Sequence, residues 1–269
     1  MTFSCDKNHK LAHLQWNHFN FVRILPQQSG ATVYIHITKS ILVNPHFVTN
    51  NMKLHTKLAA PVLFSLLAVA ASSSYAGRPL AVDDANVNDK GSGHVEAFYQ
   101  RLPGGVNAYT ISPAYGIMDG VEIAGALSRS LGVNTTSIQA KIRLTESKKA
   151  GCNFATSFGL SQPNVSGAGT SNFINGLMTC NMDAAGSVHV NLGVVNPPAG
   201  AASTGVWGIA YEREFGAVTA HVEAFGQENA QPAFQIGLRT MITKSIQIDG
   251  TVGSSNNESM YSVGVKFLF

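Results

Sequence analysis

Charged residues are scarce in this sequence. Only 12% of its 269 residues are Asp, Glu, Lys or Arg, about half the share that is usual in soluble proteins. Clustered positive charge is also missing, since no basic run exceeds Lys148-Lys149, and nothing indicates nucleic-acid binding. The apolar run that most resembles a membrane helix, Leu58 to Ala71, has 14 residues, whereas a spanning helix needs about 20. These deficits exclude a helical membrane protein, and a hydrophobic content of 45% excludes a disordered chain.

The short apolar run fits a secretory signal peptide instead. Met52 is followed by Lys53 and Lys57, then by the run, and then by small residues that end in Tyr75-Ala76. A basic start, a short apolar centre and a small-x-small cleavage site are the three parts of such a signal. We therefore predict a signal peptide over 52–76 and a mature chain that begins at Gly77. Export would place this chain in an oxidising compartment.

Residues 1–51 precede the predicted signal peptide. We interpret them as a disordered upstream extension that results from a mis-assigned start. A His-rich metal segment is the alternative, because five histidines fall here: His9, His13, His18, His36 and His46. They lack a regular ligand spacing with an intervening carboxylate or cysteine, so we predict no metal site and no cofactor.

Apolar and polar residues alternate along the mature chain. At its C-terminus, Tyr261, Val263, Val265, Phe267 and Phe269 share one face of a ten-residue segment, which is the period of a β-strand. A strand with an aromatic final residue resembles the last strand of bacterial outer-membrane barrels, where it serves as the assembly signal. This resemblance implies that the barrel-assembly machinery recognises the strand that ends at Phe269.

Similar segments recur often enough to predict an all-β fold, a closed antiparallel transmembrane β-barrel of about twelve strands over residues 94–269. The predicted strands are 94–102, 108–117, 121–131, 136–146, 152–161, 172–181, 186–195, 203–214, 217–227, 232–241, 245–253 and 260–269. An even number places both termini on the periplasmic side. We expect short periplasmic turns and longer external loops, including Ser161 to Ser171 and Asn196 to Ala202.

The charged residues of these strands collect on the polar face. This placement suits a water-filled lumen, because Lys or Arg facing lipid at mid-membrane costs about 2 to 4 kcal/mol. The predicted lumen-lining residues are Glu96, Glu122, Lys141, Arg143, Glu212, Glu223, Arg239, Asp249 and Lys266. Lys266 should approach Glu96 if the barrel closes. Alternatively, the charges pair with one another, fill a narrow lumen and transport nothing.

Two cysteines remain in the mature chain, Cys152 and Cys180. The hairpin between them closes around residue 166, so its strand pairing sets the two directly opposite each other. We predict a cross-strand disulfide, which an exported protein can form. The alternative is a pair of free thiols packed as small apolar groups.

The histidines of the mature chain argue against catalysis. Twelve-stranded barrels include phospholipases with a Ser, a His and an Asn at the barrel wall. The alternation turns His94, His189 and His221 towards the lumen, so a lipid-facing site is hard to build from them. We predict that the protein is not an enzyme.

A short motif lies between the predicted cleavage site and the first strand. It contains Arg78, Pro79, Leu80, Asp83 and Asp84, followed by Ala85 and Gly91. This string resembles the start of the outer-membrane barrel family labelled "MetA-pathway of phenol degradation", which is described as transporters of proteobacteria. The resemblance implies passage of apolar or aromatic compounds, although 193 mature residues is short for that family.

We also expect the segment 77–93 to fold into the lumen and narrow it. There Asp83 and Asp84 would meet Lys141, Arg143 or Arg239.

The sequence therefore predicts a barrel in the outer membrane of a Gram-negative bacterium, in contact with its lipid. Its expected role is passive passage of small solutes, including apolar or aromatic molecules. A sealed barrel with a structural or surface-interaction role is the alternative, and an exported soluble β-barrel is a third hypothesis. Aromatic residues at strand ends, such as Tyr109, Trp207 and Tyr261, favour the membrane.

Overall fold

A computed structural model of the chain describes residues 23–24, 33–34, 80–146, 150–198 and 201–269. The predicted signal peptide and nearly all of the predicted upstream extension lie outside these residues. The chain divides into two units, Met1–Ala59 and Ala60–Phe269. In the first unit, Arg23–Ile24 pairs antiparallel with Val33–Tyr34.

The second unit contains twelve strands that close into one antiparallel barrel. They are β1 (Gly93–Leu102), β2 (Val106–Met118), β3 (Val121–Ser130), β4 (Val133–Arg143), β5 (Ala150–Pro163), β6 (Ser171–Met182), β7 (Ser187–Asn196), β8 (Thr204–Phe215), β9 (Val218–Gln227), β10 (Ala233–Met241), β11 (Ile246–Ser255) and β12 (Glu258–Leu268). Each strand pairs with the next in sequence, and β12 pairs with β1. The predicted fold class and strand number are confirmed.

The register of the barrel brings together residues that are distant in sequence. Lys266 of β12 lies opposite Glu96 of β1 at the closing seam. Cys152 of β5 lies opposite Cys180 of β6, and the two form a disulfide. Phe269 follows β12 and exchanges two backbone hydrogen bonds with Gly93, of 2.9 and 3.0 Å. The last residue of the chain is therefore fixed to the first residue of the barrel wall.

The two faces of the wall differ in chemistry, as the alternation requires. In β2, the outward residues Tyr109 and Ile111 are exposed, whereas the inward residues Thr110 and Ser112 are buried. Most large apolar side chains cover the outer face, whereas most side chains of the inner face are small or polar. Most hydrophobic groups thus point away from the enclosed space.

The connections correct one part of the prediction. The two connections expected to be long span residues 164–170 and 197–203, so this part of the prediction agrees with the strand bounds. Other connections at the same end of the barrel are tight turns instead. Leu131 and Gly132 form a two-residue turn, as do Asn256 and Asn257, and all four have positive φ. This backbone matches the twist of hairpin strands. Strand β4 consequently starts at residue 133, three residues before the predicted start.

The described residues also contain only short helices, Pro103–Gly105 and Asp183–Ala185. In this part of the chain no helix has the length and apolar character to cross a membrane.

Candidate functional site

The lumen is the candidate site, since the inner wall carries most of the buried polar side chains. We call the end of the barrel that holds Gly93 and Leu268 the terminal end, and the end that holds 164–170 and 197–203 the loop end. Polar residues with less than a tenth of their surface exposed include Ser112, Gln139, Asn153, Ser157, Thr179, His189, His221, Glu223, Gln235 and Thr251. Burial of so many polar groups is stable only when they find hydrogen-bond partners.

The nine charged residues predicted to line the lumen all occupy the inward positions of their strands. At the closing seam, the Lys266 ammonium lies 2.9 Å from the Glu96 carboxylate. The His94 ring approaches the same carboxylate at 3.6 Å. Glu96 is 2% exposed, so these contacts hold a carboxylate that is removed from bulk water.

A second charged cluster connects β7, β8 and β10. Arg239 lies 2.7 Å from Glu212, and His189 lies 3.4 Å from the other oxygen of that carboxylate. Asp249 stands directly opposite Arg239 in the register. The charges of the two signs therefore lie side by side on the wall. Of the remaining predicted residues, Arg143 is half-buried at the terminal end.

The hydroxyl of Thr179, the ring of His189 and the carboxylate of Glu212 form a chain of contacts. Thr179 Oγ1 and His189 Nδ1 are 2.9 Å apart. Although this arrangement has the order of a nucleophile, a base and an acid, the Thr179 oxygen also accepts a hydrogen bond from the backbone N–H of Ala85, at 2.8 Å. The threonine thus holds another part of the chain in place.

That part is the luminal segment, which we define as residues 80–92. Glu223 of β9 binds its first half. The Oε2 atom of Glu223 accepts hydrogen bonds from the N–H groups of Ala81 and Val82, both at 2.8 Å. The other carboxylate oxygen accepts a bond from the Gln235 amide at 2.6 Å. A carboxylate with several N–H donors is well stabilised although it is buried.

Asp83 lies at the centre of the luminal segment. The Lys141 ammonium is 2.8 Å from its carboxylate and also donates to the backbone oxygens of Asp84 and Asn86. The Asn191 side chain makes two hydrogen bonds to the Asp83 backbone. Its Oδ1 accepts from the Asp83 N–H at 2.6 Å, and its Nδ2 donates to the Asp83 carbonyl oxygen at 2.7 Å. Of the three cations predicted to meet the acidic pair, Lys141 lies at Asp83.

The second half of the segment runs to the opposite wall. The Asn88 N–H donates to Glu122 of β3 at 2.9 Å. The Asn88 side chain lies within hydrogen-bond distance of the His94 ring. The segment then reaches β2, where the Gly91 N–H donates to Gly116 and the Gly116 N–H donates to Ser92. It is therefore attached to strands on both sides of the lumen.

Two inward-facing glycines make room for the segment. A Cβ on Gly116 would collide with the backbone oxygens of Asp89 and Asn88, the latter at 2.5 Å. A Cβ on Gly208 of β8 would lie 2.7 Å from a methyl group of Val82. Side chains at either position would push the segment away from the wall.

Apolar contacts complete the fit. Leu80 and Val82 pack with Ala210 and Phe225, and Ala85 packs with Ala155 and Leu177. Sequence reasoning missed the roles of Thr179, Asn191 and the two glycines. The strand alternation could indicate only that their positions face inward, because neutral polar residues and glycines occur at many inward positions.

The disulfide lies away from this site. Asn153 and Thr179, the neighbours of Cys152 and Cys180, are buried inward positions, so the cysteines belong to the outer face. Among the described residues, no group of three His, Cys, Asp or Glu side chains could hold a metal ion.

Comparisons with known proteins place this barrel in context. The model of the family described as "Uncharacterised conserved protein UCP029691" matches residues 62–266, and the chain belongs to that family. A search of curated proteins found no match.

Solved structures of porins share the fold. The KdgM porin has a TM-score of 0.58 at 12% identity, over 65% of this chain and 99% of the porin chain. KdgM in complex with disordered oligogalacturonate gives 0.56 at 13% identity, over 66% and 99%. A structure of the NanC porin gives 0.49 at 11% identity, over 65% and 98%. The two KdgM structures show that this chain has a porin fold.

Proposed function

We propose that this member of the family inserts in the outer membrane of a Gram-negative bacterium and gives passive passage to small solutes. The observation that carries the proposal is the chemistry of the barrel wall, which exposes large apolar side chains on its outer face and encloses polar ones. A soluble protein would bury most of these apolar side chains. Leu192, Val252 and Leu127 are 65%, 59% and 58% exposed on the outer face. Lipid is the solvent that matches such a surface.

Aromatic side chains support the proposed position in the membrane. Towards the loop end, the ring of Tyr99 lies 5.3 Å from that of Tyr109 and 5.9 Å from that of Tyr261. Near the terminal end, Phe269 stacks with Tyr115 and Phe267, at 6.5 and 6.3 Å. Two aromatic clusters near opposite ends of the wall fit the two interfacial belts of a membrane barrel.

Assembly in the membrane would use the barrel-assembly machinery, with the strand that ends at Phe269 as the signal. The support is the place of Phe269 at the closing seam, where its backbone pairs with Gly93. Deletion of Phe269 should lower the amount of folded protein in outer-membrane fractions, and an unchanged amount would contradict this assignment.

The solute class follows from the chemistry of the inner wall. Lys141, Arg239 and Lys266 are each bound to a carboxylate, so they offer little attraction to an acidic solute. In the half towards the loop end, Phe98, Phe173 and Val195 are buried inward residues. Uncharged solutes with apolar or aromatic parts suit this lining. The resemblance of the N-terminal motif to the phenol-degradation family points the same way.

Solute entry into liposomes tests this proposal. Liposomes that contain the refolded chain should admit phenyl glucoside, an uncharged aromatic solute, several-fold faster than glucuronate. Liposomes that received heat-denatured protein serve as the control. Solute entry is read from the rate of liposome swelling. Equal rates with refolded and with heat-denatured protein would overturn the proposed passage.

A sealed barrel is the second candidate, and the luminal segment favours it. The segment crosses the lumen and contacts both sides, while the charges of the wall bind one another. In that case the barrel would act through its surface, and 164–170 and 197–203 would make the contacts. We propose a non-catalytic role in either case. Insertion without solute entry would select this candidate.

A further inference from the structure

The contacts around the luminal segment have the form of a peptide-binding site. Within residues 80–88, five backbone N–H groups and three backbone oxygens are bound by side chains of the wall. The wall residues are Thr179, Glu122, Lys141, Asn191 and Glu223. Hydrogen bonds to main-chain groups depend little on the bound sequence, as in extended peptides that add to a sheet edge, where pockets for side chains give specificity. The wall could therefore hold another chain in the same way.

The remaining contacts specify the kind of peptide. Lys141, which is 4% exposed, binds a carboxylate at Asp83. The apolar sockets accept Leu80 and Val82 before this residue and the small Ala85 after it. A ligand of this wall is thus an extended peptide with an acidic residue that follows apolar ones.

The site strongly favours an occupant over none. If residues 80–88 left, Lys141 would lose all three acceptors that it contacts, and Glu223 would lose two donors. Glu122 lies opposite Lys141 in the register and would remain, but a buried ammonium that loses its hydrogen-bond acceptors is still costly. Water or a second peptide would have to replace them, and a peptide replaces them all at once.

We propose that the lumen of this barrel is a binding site for an extended acidic peptide, which the chain fills with its own residues 80–88. The tether is short, since residues 89–92 join the occupant to β1. This connection gives the occupant an effective concentration of order mM. A free peptide therefore competes only when the tethered one is weakened. The site is independent of whether small solutes cross the barrel.

The experiment weakens the tethered occupant and leaves the wall intact. The full chain with Asp83→Ala is refolded in detergent micelles and titrated with a fluorescein-labelled peptide of the sequence of residues 80–88. Fluorescence anisotropy reports binding and does not require a pore. We expect saturable binding, about tenfold or more weaker for a peptide whose Asp83 equivalent is Asn, because a charged hydrogen bond is lost.

A locked variant is the matched control. The Cβ of Val82 lies 3.5 Å from the position of a Cβ on Gly208, which suits a disulfide. In the chain with Asp83→Ala, Val82→Cys and Gly208→Cys, oxidation should fix the occupant and abolish binding of a labelled peptide whose Val82 equivalent is Ala, which leaves room for a side chain at position 208. Reduction should restore binding of this peptide. The Asp83→Ala chain in the same reductant controls for loss of the native disulfide. Heat-modifiable migration shows that each variant is folded.

Two results would overturn the proposal. Equal binding to the oxidised locked chain and to the Asp83→Ala chain would place the peptide outside the lumen. Absence of binding to a folded Asp83→Ala chain would show that the wall does not accept a free peptide. Neither result depends on conductance or solute entry, so failure of the proposed passage remains a separate outcome.

Discussion

At the scale of single residues, Lys141 links the barrel wall to the luminal segment. It donates to the Asp83 carboxylate and to two backbone oxygens, at 2.8 to 3.3 Å. No other described residue offers the segment a positive charge at hydrogen-bond distance. The docking of the segment should therefore depend on this side chain more than on the neutral partners around it.

Replacement of Lys141 by Met keeps much of the side-chain length and removes the charge. We expect the opening free energy of the segment to fall by about 3 kcal/mol, since a buried carboxylate loses its partner. Amide hydrogen exchange over residues 81–88 should then become about a hundredfold faster. Arg143→Met, two positions along the same strand, is the control and should leave exchange unchanged. Equal protection in Lys141→Met and the native chain would show that the ion pair does not hold the segment.

The docking of the segment also depends on Gly116, because the segment passes so close to this residue that no space is left for a Cβ. Gly116→Ala should lower the unfolding free energy in urea by about 1 to 3 kcal/mol, as is usual for overpacked sites. Gly125→Ala is the matched control: its Cβ would lie 3.7 Å from the nearest atom, and the expected change is within about 0.5 kcal/mol. A Gly116→Ala chain as stable as this control would argue against the close passage.

At the scale of structural elements, the hairpin of β5 and β6 is the longest pair of the barrel and is closed by the disulfide. Its cysteines are 28 residues apart. A cross-link over a loop of this size restricts the unfolded chain. Since the sulfur atoms belong to the outer face, the bond supports the wall without entering the lumen.

Removal of this cross-link by Cys152→Ser and Cys180→Ser should therefore affect stability and spare transport. We expect the unfolding free energy to fall by about 3 kcal/mol, measured by urea titration of the oxidised protein and the variant. Solute entry per folded barrel should stay the same. A change in solute entry at unchanged fold would show that the hairpin shapes the lumen.

The strands were predictable because a barrel wall repeats one simple pattern. Alternation places Glu96 and Lys266 on the inner face, and closure then brings them together. The turn at Leu131 and Gly132 was not predictable in this way, since leucine rarely adopts positive φ. Asn256-Asn257, by contrast, is a turn sequence that could have been recognised.

The luminal segment was only partly predictable. Its acidic pair indicates a cation on the wall, and Lys141 is one of three candidates. The contacts of Asn191 and Thr179 with the backbone of the segment carry no signal in the sequence, because any inward neutral polar residue could make them. They depend on the exact path of a chain that has no regular secondary structure.

At the scale of the whole molecule, the closed barrel favours a channel, whereas the luminal segment and the paired charges narrow it. A closed barrel with an apolar outer face would separate a polar interior from lipid, which suits a channel. The luminal segment and the paired charges occupy part of that interior. We therefore expect a narrow channel in which charges of both signs cancel, with small unit conductance and little preference between cations and anions.

Above all, we propose that this barrel forms a pore in the outer membrane. Conductance of refolded residues 77–269 in a planar bilayer tests it most directly, after heat-modifiable migration has confirmed folding. We expect discrete channels whose reversal potential in a salt gradient stays close to zero. Stable insertion without current would contradict the pore, and failure of the folded barrel to insert would contradict its place in the membrane.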